Sequence, residues 1–502
     1  MQELVLRQVQ ILMQSEWDEI LELLAVHKPY MEPLVEEVIK HGPAEIAFEV
    51  VDNAKSMALT SLLGRTRLKK NLNSIEYDSS FPEPLRQARN ELRSGRQFLS
   101  MSFCSLTDIG EYLDENPRTV ISSFYLSELG SYVFSCWKSD EGIHMSRTDL
   151  GVQLTNLLHQ LRPWLVSFDK RESLERNPET VKLLNATLQE VGQIFQATLW
   201  NCGPIRHLII VPHKELHCLP LHASPIKNKG SFVPVFKVIP EISYAPSTMF
   251  SVVLWDLQRF LRVPRKPGGP RIMVVIDPST DFREERTIWK TLFGEFFSGV
   301  TVVNTKNDFL TKHEDYDVIH FACHGSSSLV DHRKSALHIG NETLPFAEVF
   351  SDLNLLLCRN VTLAACETGA ATSTSYVGDE YSGLDCSFLL SGAAGTVSTL
   401  WSVSHDISVL FSGLYYFMVF SGESPARAFS RFQRAVSTGS LADLLKDMRD
   451  KARQDRNKNF AVFFDTMLTL CGAGINWFDQ MAWRIMGMSR YPLIGAAEST
   501  EV

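Results

Sequence analysis

The spacing of hydrophobic residues changes along this chain and indicates two kinds of structure. Over residues 4–63, apolar positions recur at helical intervals, and Gly42-Pro43 separates two helical segments. From Ile272 onward, short apolar runs alternate with helical patterns. Such alternation favours a parallel sheet with helices on both faces. We therefore predict an α/β protein that is preceded by a short helical region.

Between these two regions the pattern predicts a hairpin and a pair of helices. Residues 120–126 and 132–137 are apolar β-like runs separated by a short turn. Helical periodicity follows around residues 150–161 and 181–200. Residues 262–270 then hold three prolines and two glycines, which marks a loop or linker. We place a boundary between two lobes of the α/β region there.

A histidine and a cysteine each follow one of the apolar runs of the predicted sheet. His324-Gly325 follows the run 317–323, and Cys366 follows the run 361–365. In open α/β sheets, functional groups gather beyond the carboxyl ends of the strands. A neighbouring imidazole favours the nucleophilic thiolate of a cysteine and can later protonate a leaving amine. The pair predicts a thiol protease dyad, with the amides of Gly325 and Cys366 as candidate oxyanion donors.

Two residues close to His324 in the sequence have different predicted roles. Successive strand residues point to opposite faces, so Cys323 should face away from His324 and into the core. His320 shares a strand face with His324 and could join Cys366 in a metal site. Structural zinc usually needs four ligands at recognisable spacing, and the sequence contains no second pair, so we predict no metal site.

The histidine and cysteine runs belong to a series of ordered motifs that resemble one family. The motifs are Phe321-Ala322-Cys323-His324-Gly325, Ala365-Cys366-Glu367-Thr368-Gly369, Gly378-Asp379-Glu380, Ala393-Ala394-Gly395 and Leu400-Trp401. Apolar landmarks at residues 206–225, 242–247 and 274–278 precede them. Together they look like the signatures of CHAT peptidases, which are caspase- and separase-related cysteine proteases often attached to tetratricopeptide (TPR) repeats. The resemblance covers roughly residues 120–474.

The resemblance implies a caspase-like α/β/α sandwich in two sub-lobes, preceded by a short TPR-like helical region. The predicted parts are a helical repeat-like region at residues 1–70, a connector at 71–117, an N-terminal sub-lobe of the CHAT region at 118–262, a catalytic caspase-like sub-lobe at 271–475 and an unmatched tail at 476–502. A repeat array normally needs about three repeats. The short helical region therefore indicates docking on the protease domain, docking on a partner, or a shortened array.

The resemblance also implies a function. It predicts a cysteine endopeptidase that performs limited proteolysis of a protein substrate, with His324 as general base and acid and Cys366 as nucleophile. No cofactor is expected. Enzymes of this kind are usually restrained until a partner docks, so a regulatory protein at the N-terminal helices is expected. The alternative is a non-catalytic scaffold or regulated binding module, and an acyl hydrolase or transferase with the same dyad also stays open.

Three acidic residues are candidates for substrate binding. In relatives such as separase, an acidic group after the Leu-Trp motif helps to recognise a basic P1 side chain. Here only Asp406 remains in that segment, so a preference for Arg or Lys at P1 is open. Asp379 and Glu380 follow a stretch rich in Ser, Thr and Gly at residues 368–378. They could bind a cationic substrate group or cap the next helix.

Composition and charge limit the partners and the compartment. A net charge of -9 argues against a nucleic-acid binder, which usually carries a basic stripe. Nine cysteines without paired spacing fit the reduced thiols of a cytoplasmic protein. The start Met1-Gln2-Glu3-Leu4 shows no signal peptide. The apolar run 407–420 is shorter than the ~20 residues of a membrane span, so it predicts a core helix and no membrane contact.

Overall fold

In a computed structural model, the chain folds as helices on both faces of one large sheet. The structure describes residues 35–55, 106–127, 130–165, 177–199, 201–260, 270–279, 286, 289–290, 299–328, 334–355, 357–365, 368, 383–401, 403, 405–455, 458–470 and 483–487. Much of the predicted helical region and most of the connector lie outside the described residues. The repeat character of the N-terminal region therefore stays a prediction.

Most strands of the described chain belong to one large sheet, and the others form two smaller sheets. The strands are, in chain order, β1 (Thr119–Leu126), β2 (Ser131–Ser139), β3 (Gly142–Asp149), β4 (His207–Val211), β5 (Pro225–Asn228), β6 (Ser231–Pro234), β7 (Glu241–Tyr244), β8 (Ile272–Ile276), β9 (Val300–Val303), β10 (Val318–Ala322), β11 (His324–Ser326), β12 (Ala336–Ile339), β13 (Glu342–Pro345), β14 (Asn360–Ala364), β15 (Gly395–Thr399) and β16 (Trp483–Gly487). Within this part of the chain, eleven strands form one sheet in the order β3-β2-β1-β4-β7-β16-β15-β14-β10-β8-β9. A smaller sheet has the order β11-β12-β13, and β5 pairs with β6.

Helices precede and connect these strands. The α-helices used below are α1 (Ala44–Ala54), α2 (Leu106–Glu115), α3 (Gln153–Leu165), α4 (Pro178–Leu199), α5 (Val235–Val238), α6 (Thr248–Phe260), α7 (Lys306–Lys312), α8 (Phe346–Asp352), α9 (Leu384–Leu390), α10 (His405–Phe420), α11 (Pro425–Ser437), α12 (Leu441–Gln454) and α13 (Lys458–Leu470). The helical pair predicted around residues 150–161 and 181–200 is confirmed as α3 and α4.

The predicted parallel sheet is confirmed in the second half of the chain. β15, β14, β10, β8 and β9 lie side by side and run parallel. Every residue of β8, β10 and β14 is buried. Parallel strands are usually covered on both faces, which is why their sequences are continuous apolar runs rather than alternating ones.

Alternate residues of the central strands point into two separate hydrophobic cores. Ile272, Val274 and Ile276 of β8 belong to the core that contains the buried faces of α10–α13. Met273 and Val275 belong to the other core, which contains the buried residues of α8 and α9. Side chains alternate between the two faces of a strand, so one strand contributes to both cores. The predicted α/β sandwich is therefore confirmed.

The predicted hairpin is also confirmed, and it continues into one more strand. β1 and β2 pair antiparallel, with Val120 opposite Trp137 and Leu126 opposite Ser131. β3 then pairs antiparallel with β2 at the end of the sheet. Its sequence GIHMSRTD is mostly polar and none of its residues is fully buried. The edge position explains why an apolar pattern did not reveal this strand.

The strand between the two halves of the large sheet comes from the tail that no sequence motif identified. β16 pairs antiparallel with β15, and Met486 of β16 pairs parallel with Tyr244 of β7. β7 lies in the first half of the sheet and β15 in the second. A run of five residues is too short for its periodicity to separate a strand from a loop. Both predicted sub-lobes thus contribute to one continuous sheet.

The helix α1 is anchored on the α/β domain by a buried acid and a buried lysine. The Asp52 carboxylate accepts hydrogen bonds from the amides of Thr248 at 2.8 Å and Met249 at 2.9 Å, in the first turn of α6. Lys55, which directly follows α1, donates to Ser123 Oγ of β1 at 3.0 Å. Asp52 therefore caps a helix that is distant from it in the sequence.

Replacing Asp52 with Ala is expected to lower the free energy of unfolding by about 2 kcal/mol, the upper end for the loss of a helix cap. The variant removes the acceptor of two α6 amides and a negative charge beside Lys55. Urea denaturation of the variant and wild type measures the difference. Asp52→Asn, which keeps one acceptor oxygen, should lose less. An Ala variant as stable as wild type would show that water caps α6 equally well.

The apolar run at residues 407–420 forms part of α10, as predicted. Phe411, Tyr415 and Phe417 of this helix are buried among the helices that follow it. Among the described residues, no helix combines the length and the apolar character that crossing a membrane requires.

Candidate active site

His324 lies just beyond the carboxyl end of β10. Cys323 separates it from the strand and is 1% exposed, whereas His324 is exposed, so the prediction that Cys323 packs into the core is confirmed. β10 and β14 are parallel neighbours, and Ala322 lies opposite Ala364. In the sequence, His324 follows the first of these paired residues by two positions, and Cys366 follows the second by two positions.

Several predicted site residues lie wholly or partly outside the described residues. Cys366, Asp379 and Glu380 are outside the described residues. Asp406 is the second residue of α10, and its side chain is also outside the described part. Gly325 is half-buried in β11. The catalytic, oxyanion and substrate-binding roles of these residues stay predictions.

Two threonines hold the chain on either side of Cys366. The carbonyl oxygen of Ala365 accepts hydrogen bonds from Thr399 Oγ1 at 2.8 Å and from Thr368 Oγ1 at 3.2 Å. The Thr399 amide in turn donates to Thr368 Oγ1 at 3.4 Å. The carboxyl end of β14 is thereby tied to the end of β15.

A buried acid is hydrogen-bonded to Thr368 through its backbone amide. Asp385, at the start of α9, is fully buried, and its amide donates to the carbonyl oxygen of Thr368 at 3.1 Å. Its carboxyl oxygens accept hydrogen bonds from Ser398 Oγ at 2.6 Å and from the Cys386 amide at 2.8 Å. Burial raises the pKa of Asp385 to about 7, although both hydrogen bonds favour the charged form. This carboxyl group therefore changes its charge near neutral pH.

His320 belongs to the core rather than to the site. Its ring centroid lies 4.8 Å from that of Trp289 and 5.5 Å from that of Tyr416. Complete burial lowers the pKa of His320 to about 3, so the ring is neutral at physiological pH. In the part of the chain that the structure describes, no group of three or more His, Cys, Asp or Glu side chains could hold a metal ion.

Asp277 lies at the same end of the sheet, and in the sequence it is recognisable only as part of a family landmark. It directly follows β8, which is the other neighbour of β10, and its amide donates to the carbonyl oxygen of Ala322 at 2.9 Å. Its carboxylate interacts with the charge of His324. One signal could have identified it: Asp277 stands at the end of an apolar run, as His324 does.

The family model of the CHAT domain matches residues 182–464, which is more than half of the chain. No curated protein sequence matches this chain. Two crystal structures of the separase–securin complex of Saccharomyces cerevisiae are similar in fold. The 3.0 Å structure has a TM-score of 0.46 and 10% identity over 94% of this chain, and the 2.6 Å structure has 0.47 and 10% over 96%. This chain covers 37% of the length of each matched chain. Since the family match extends over more than half of its residues, the chain belongs to the CHAT domain family.

Proposed function

We propose that this chain is a cysteine endopeptidase in which His324 and Cys366 form the catalytic dyad. The observation that supports the proposal most strongly is the register of β10 and β14, in which Ala322 lies opposite Ala364. Neighbouring strands lie about 4.8 Å apart. Because β10 and β14 are parallel and in register, we expect Cys366 close to His324 at the carboxyl end of these strands, where α/β proteins carry their chemistry.

In the proposed reaction, His324 takes the thiol proton of Cys366, and the sulfur attacks the carbonyl carbon of the scissile peptide bond. The charge that moves to the carbonyl oxygen is held by the amides of Gly325 and Cys366. The C–N bond then breaks, and His324 returns the proton to the leaving amine, which leaves a thioester. Water attacks the thioester with His324 as base, which releases the acid product and restores the thiol.

We further propose that this protein acts in the cytoplasm on a protein substrate and that a regulatory protein acts through the N-terminal helices. The contacts of Asp52 and Lys55 connect α1 to α6 and β1. A partner that displaces α1 would therefore remove the cap of α6. Asp406, Asp379 and Glu380 are the candidates for binding a basic side chain at P1.

Two measurements on the full chain test the dyad. The first is incubation with a mixed peptide library, with cleavage sites mapped by mass spectrometry. The second is the rate at which iodoacetamide labels Cys366 at neutral pH, compared with Cys202, whose pKa burial raises to about 12. We expect Cys366 to react about tenfold faster or more than any other cysteine, because a neighbouring imidazole favours its thiolate. His324→Ala should remove this advantage.

The labelling measurement gives an answer even when a partner is needed for cleavage. Fast labelling without cleavage would identify a restrained enzyme. Slow labelling of Cys366 in wild type and in His324→Ala alike would overturn the proposal and favour a non-catalytic scaffold. Turnover of esters but not of peptides would instead identify an acyl hydrolase or transferase.

A further inference from the structure

Asp277 emerges from the sheet beside the segment that carries His324. β8 and β10 are parallel neighbours, with Ile276 opposite Ala322. Asp277 is the next residue after β8, and its amide continues the pairing by donating to the carbonyl oxygen of Ala322 at 2.9 Å. His324 lies two residues beyond Ala322. The backbone of Asp277 thus fixes the point at which the chain of His324 leaves the sheet.

The carboxylate of Asp277 ties together the elements around His324. It is 4% exposed and accepts hydrogen bonds from the Ser279 amide at 2.7 Å and the Gly340 amide at 3.0 Å. Gly340 has a φ of 62° and lies in the turn between β12 and β13. β12 is the partner of β11, with His338 opposite His324. One buried acid therefore holds the hairpin on which the β11 strand rests.

The charge of this acid is favoured by its surroundings. Burial raises the pKa of Asp277, but hydrogen bonds from Ser279 and Gly340 and the charge of His324 outweigh burial, so the pKa lies below its ordinary value of 3.8. Two other ionisable groups are nearby. Arg286 Nη2 donates to the carbonyl oxygen of Asp277 at 2.8 Å, and His338 shares a 2.8 Å hydrogen bond with Ser326 Oγ. Neither bond uses the Asp277 carboxylate.

We propose that Asp277 is a positioning residue for His324: it fixes the backbone around His324 through Ala322 and the β12–β13 turn, and its charge stabilises the positive charge that the ring acquires when it takes the Cys366 proton. The proposal rests on the proposed function. Together with the proposed dyad, Asp277 makes a unit of three residues that follow the neighbouring strands β8, β10 and β14 in the sequence. A buried carboxylate is suited to this role because its charge is weakly screened by solvent.

The test compares Asp277→Asn with a matched control, Asp317→Asn. Asp317 is also 4% exposed and also accepts a backbone hydrogen bond, from the Arg271 amide at 2.9 Å, but it lies before β10, at the opposite end of the strand. Iodoacetamide labelling of Cys366 is followed from about pH 5 to about pH 9 in full-length variants. We expect Asp277→Asn to raise the pH of half-maximal labelling by about one unit. The control should match wild type.

A second readout separates positioning from a structural role. On any peptide that wild type cleaves, Asp277→Asn should lower kcat by about 10- to 100-fold with little change in KM, and Asp277→Glu should restore part of the rate. If Asp277→Asn loses its cooperative unfolding transition, Asp277→Ser replaces it, since its hydroxyl can still accept an amide hydrogen bond.

The outcomes distinguish the two proposals. A folded charge-removing variant with the wild-type labelling profile would overturn the role of Asp277 and leave the dyad intact. An equal shift in Asp317→Asn would also overturn it, because the effect would then come from the loss of any buried acid. Slow labelling of Cys366 in wild type, unchanged by His324→Ala, would overturn the proposed function itself.

Discussion

Replacing either His324 or Cys366 with Ala is expected to lower peptide cleavage by at least about 10³-fold, because each residue works only with the other. The double variant should be no slower than the slower single variant, since members of one catalytic unit do not contribute additively. The exposed side chain of His324 can be removed without opening a core cavity, so the unfolding transition of His324→Ala should match that of wild type. Initial rates on a library-derived peptide measure the effect.

The control for these variants is His159→Ala, because His159 is an exposed histidine on α3, outside the catalytic lobe predicted from the sequence. It should cleave at the wild-type rate. Cleavage that persists in Cys366→Ala would show that another group is the nucleophile. Loss in Cys366→Ala alone, with full activity in His324→Ala, would show that a different base serves the thiol.

Asp385→Asn is expected to stabilise the protein at about pH 8 and to have much less effect at about pH 5. Below about pH 4 both the folded and the unfolded chain hold the Asp385 proton. Between about pH 4 and pH 7 the unfolded chain loses it while the folded chain keeps it, so the free energy of unfolding falls as pH rises. At about 1.4 kcal/mol for each pKa unit, a pKa of about 7 corresponds to a cost of roughly 4 kcal/mol above neutral pH. Asparagine has no charge at any pH, so the variant avoids this cost.

The measurement must be a difference between variant and wild type, because His320 acts in the opposite direction. Its pKa of about 3 means that the unfolded chain takes up a proton first as pH falls below about 6.5, which lowers stability toward acid. The wild-type curve therefore combines two opposing slopes. Urea denaturation of wild type, Asp385→Asn and the exposed control Asp443→Asn at each pH isolates the Asp385 contribution. A variant no more stable than wild type at about pH 8 would show that Ser398 and Cys386 fully stabilise the carboxylate.

Most of the sheet and the position of His324 at the end of β10 could be predicted because they depend on local signals. Continuous apolar runs identified β8, β10 and β14, and strand alternation predicted that Cys323, unlike His324, packs into the core. The family landmarks agree with the match to the CHAT domain. These features follow from residue order over five to ten positions, which a single sequence contains.

The features that could not be predicted depend on contacts between distant residues. Asp385 contacts Ser398 only because α9 packs against β15, and Asp52 caps a helix almost two hundred residues away. No local pattern distinguishes a buried acid with such a partner from an exposed one. Asp277 is intermediate: its place at a strand end was visible, but its hydrogen bond with Gly340 was not.

The position of β16 has a consequence for how the chain reaches this fold. During synthesis, β7 and β15 are complete long before residues 483–487 emerge from the ribosome. Until β16 inserts, each half of the sheet exposes an unpaired edge, and such edges are templates for pairing with other chains. Loss of β16, for example after proteolysis between α13 and β16, would therefore expose two unpaired strand edges at the centre of the sheet. We therefore expect loss of β16 to cause self-association as well as loss of stability.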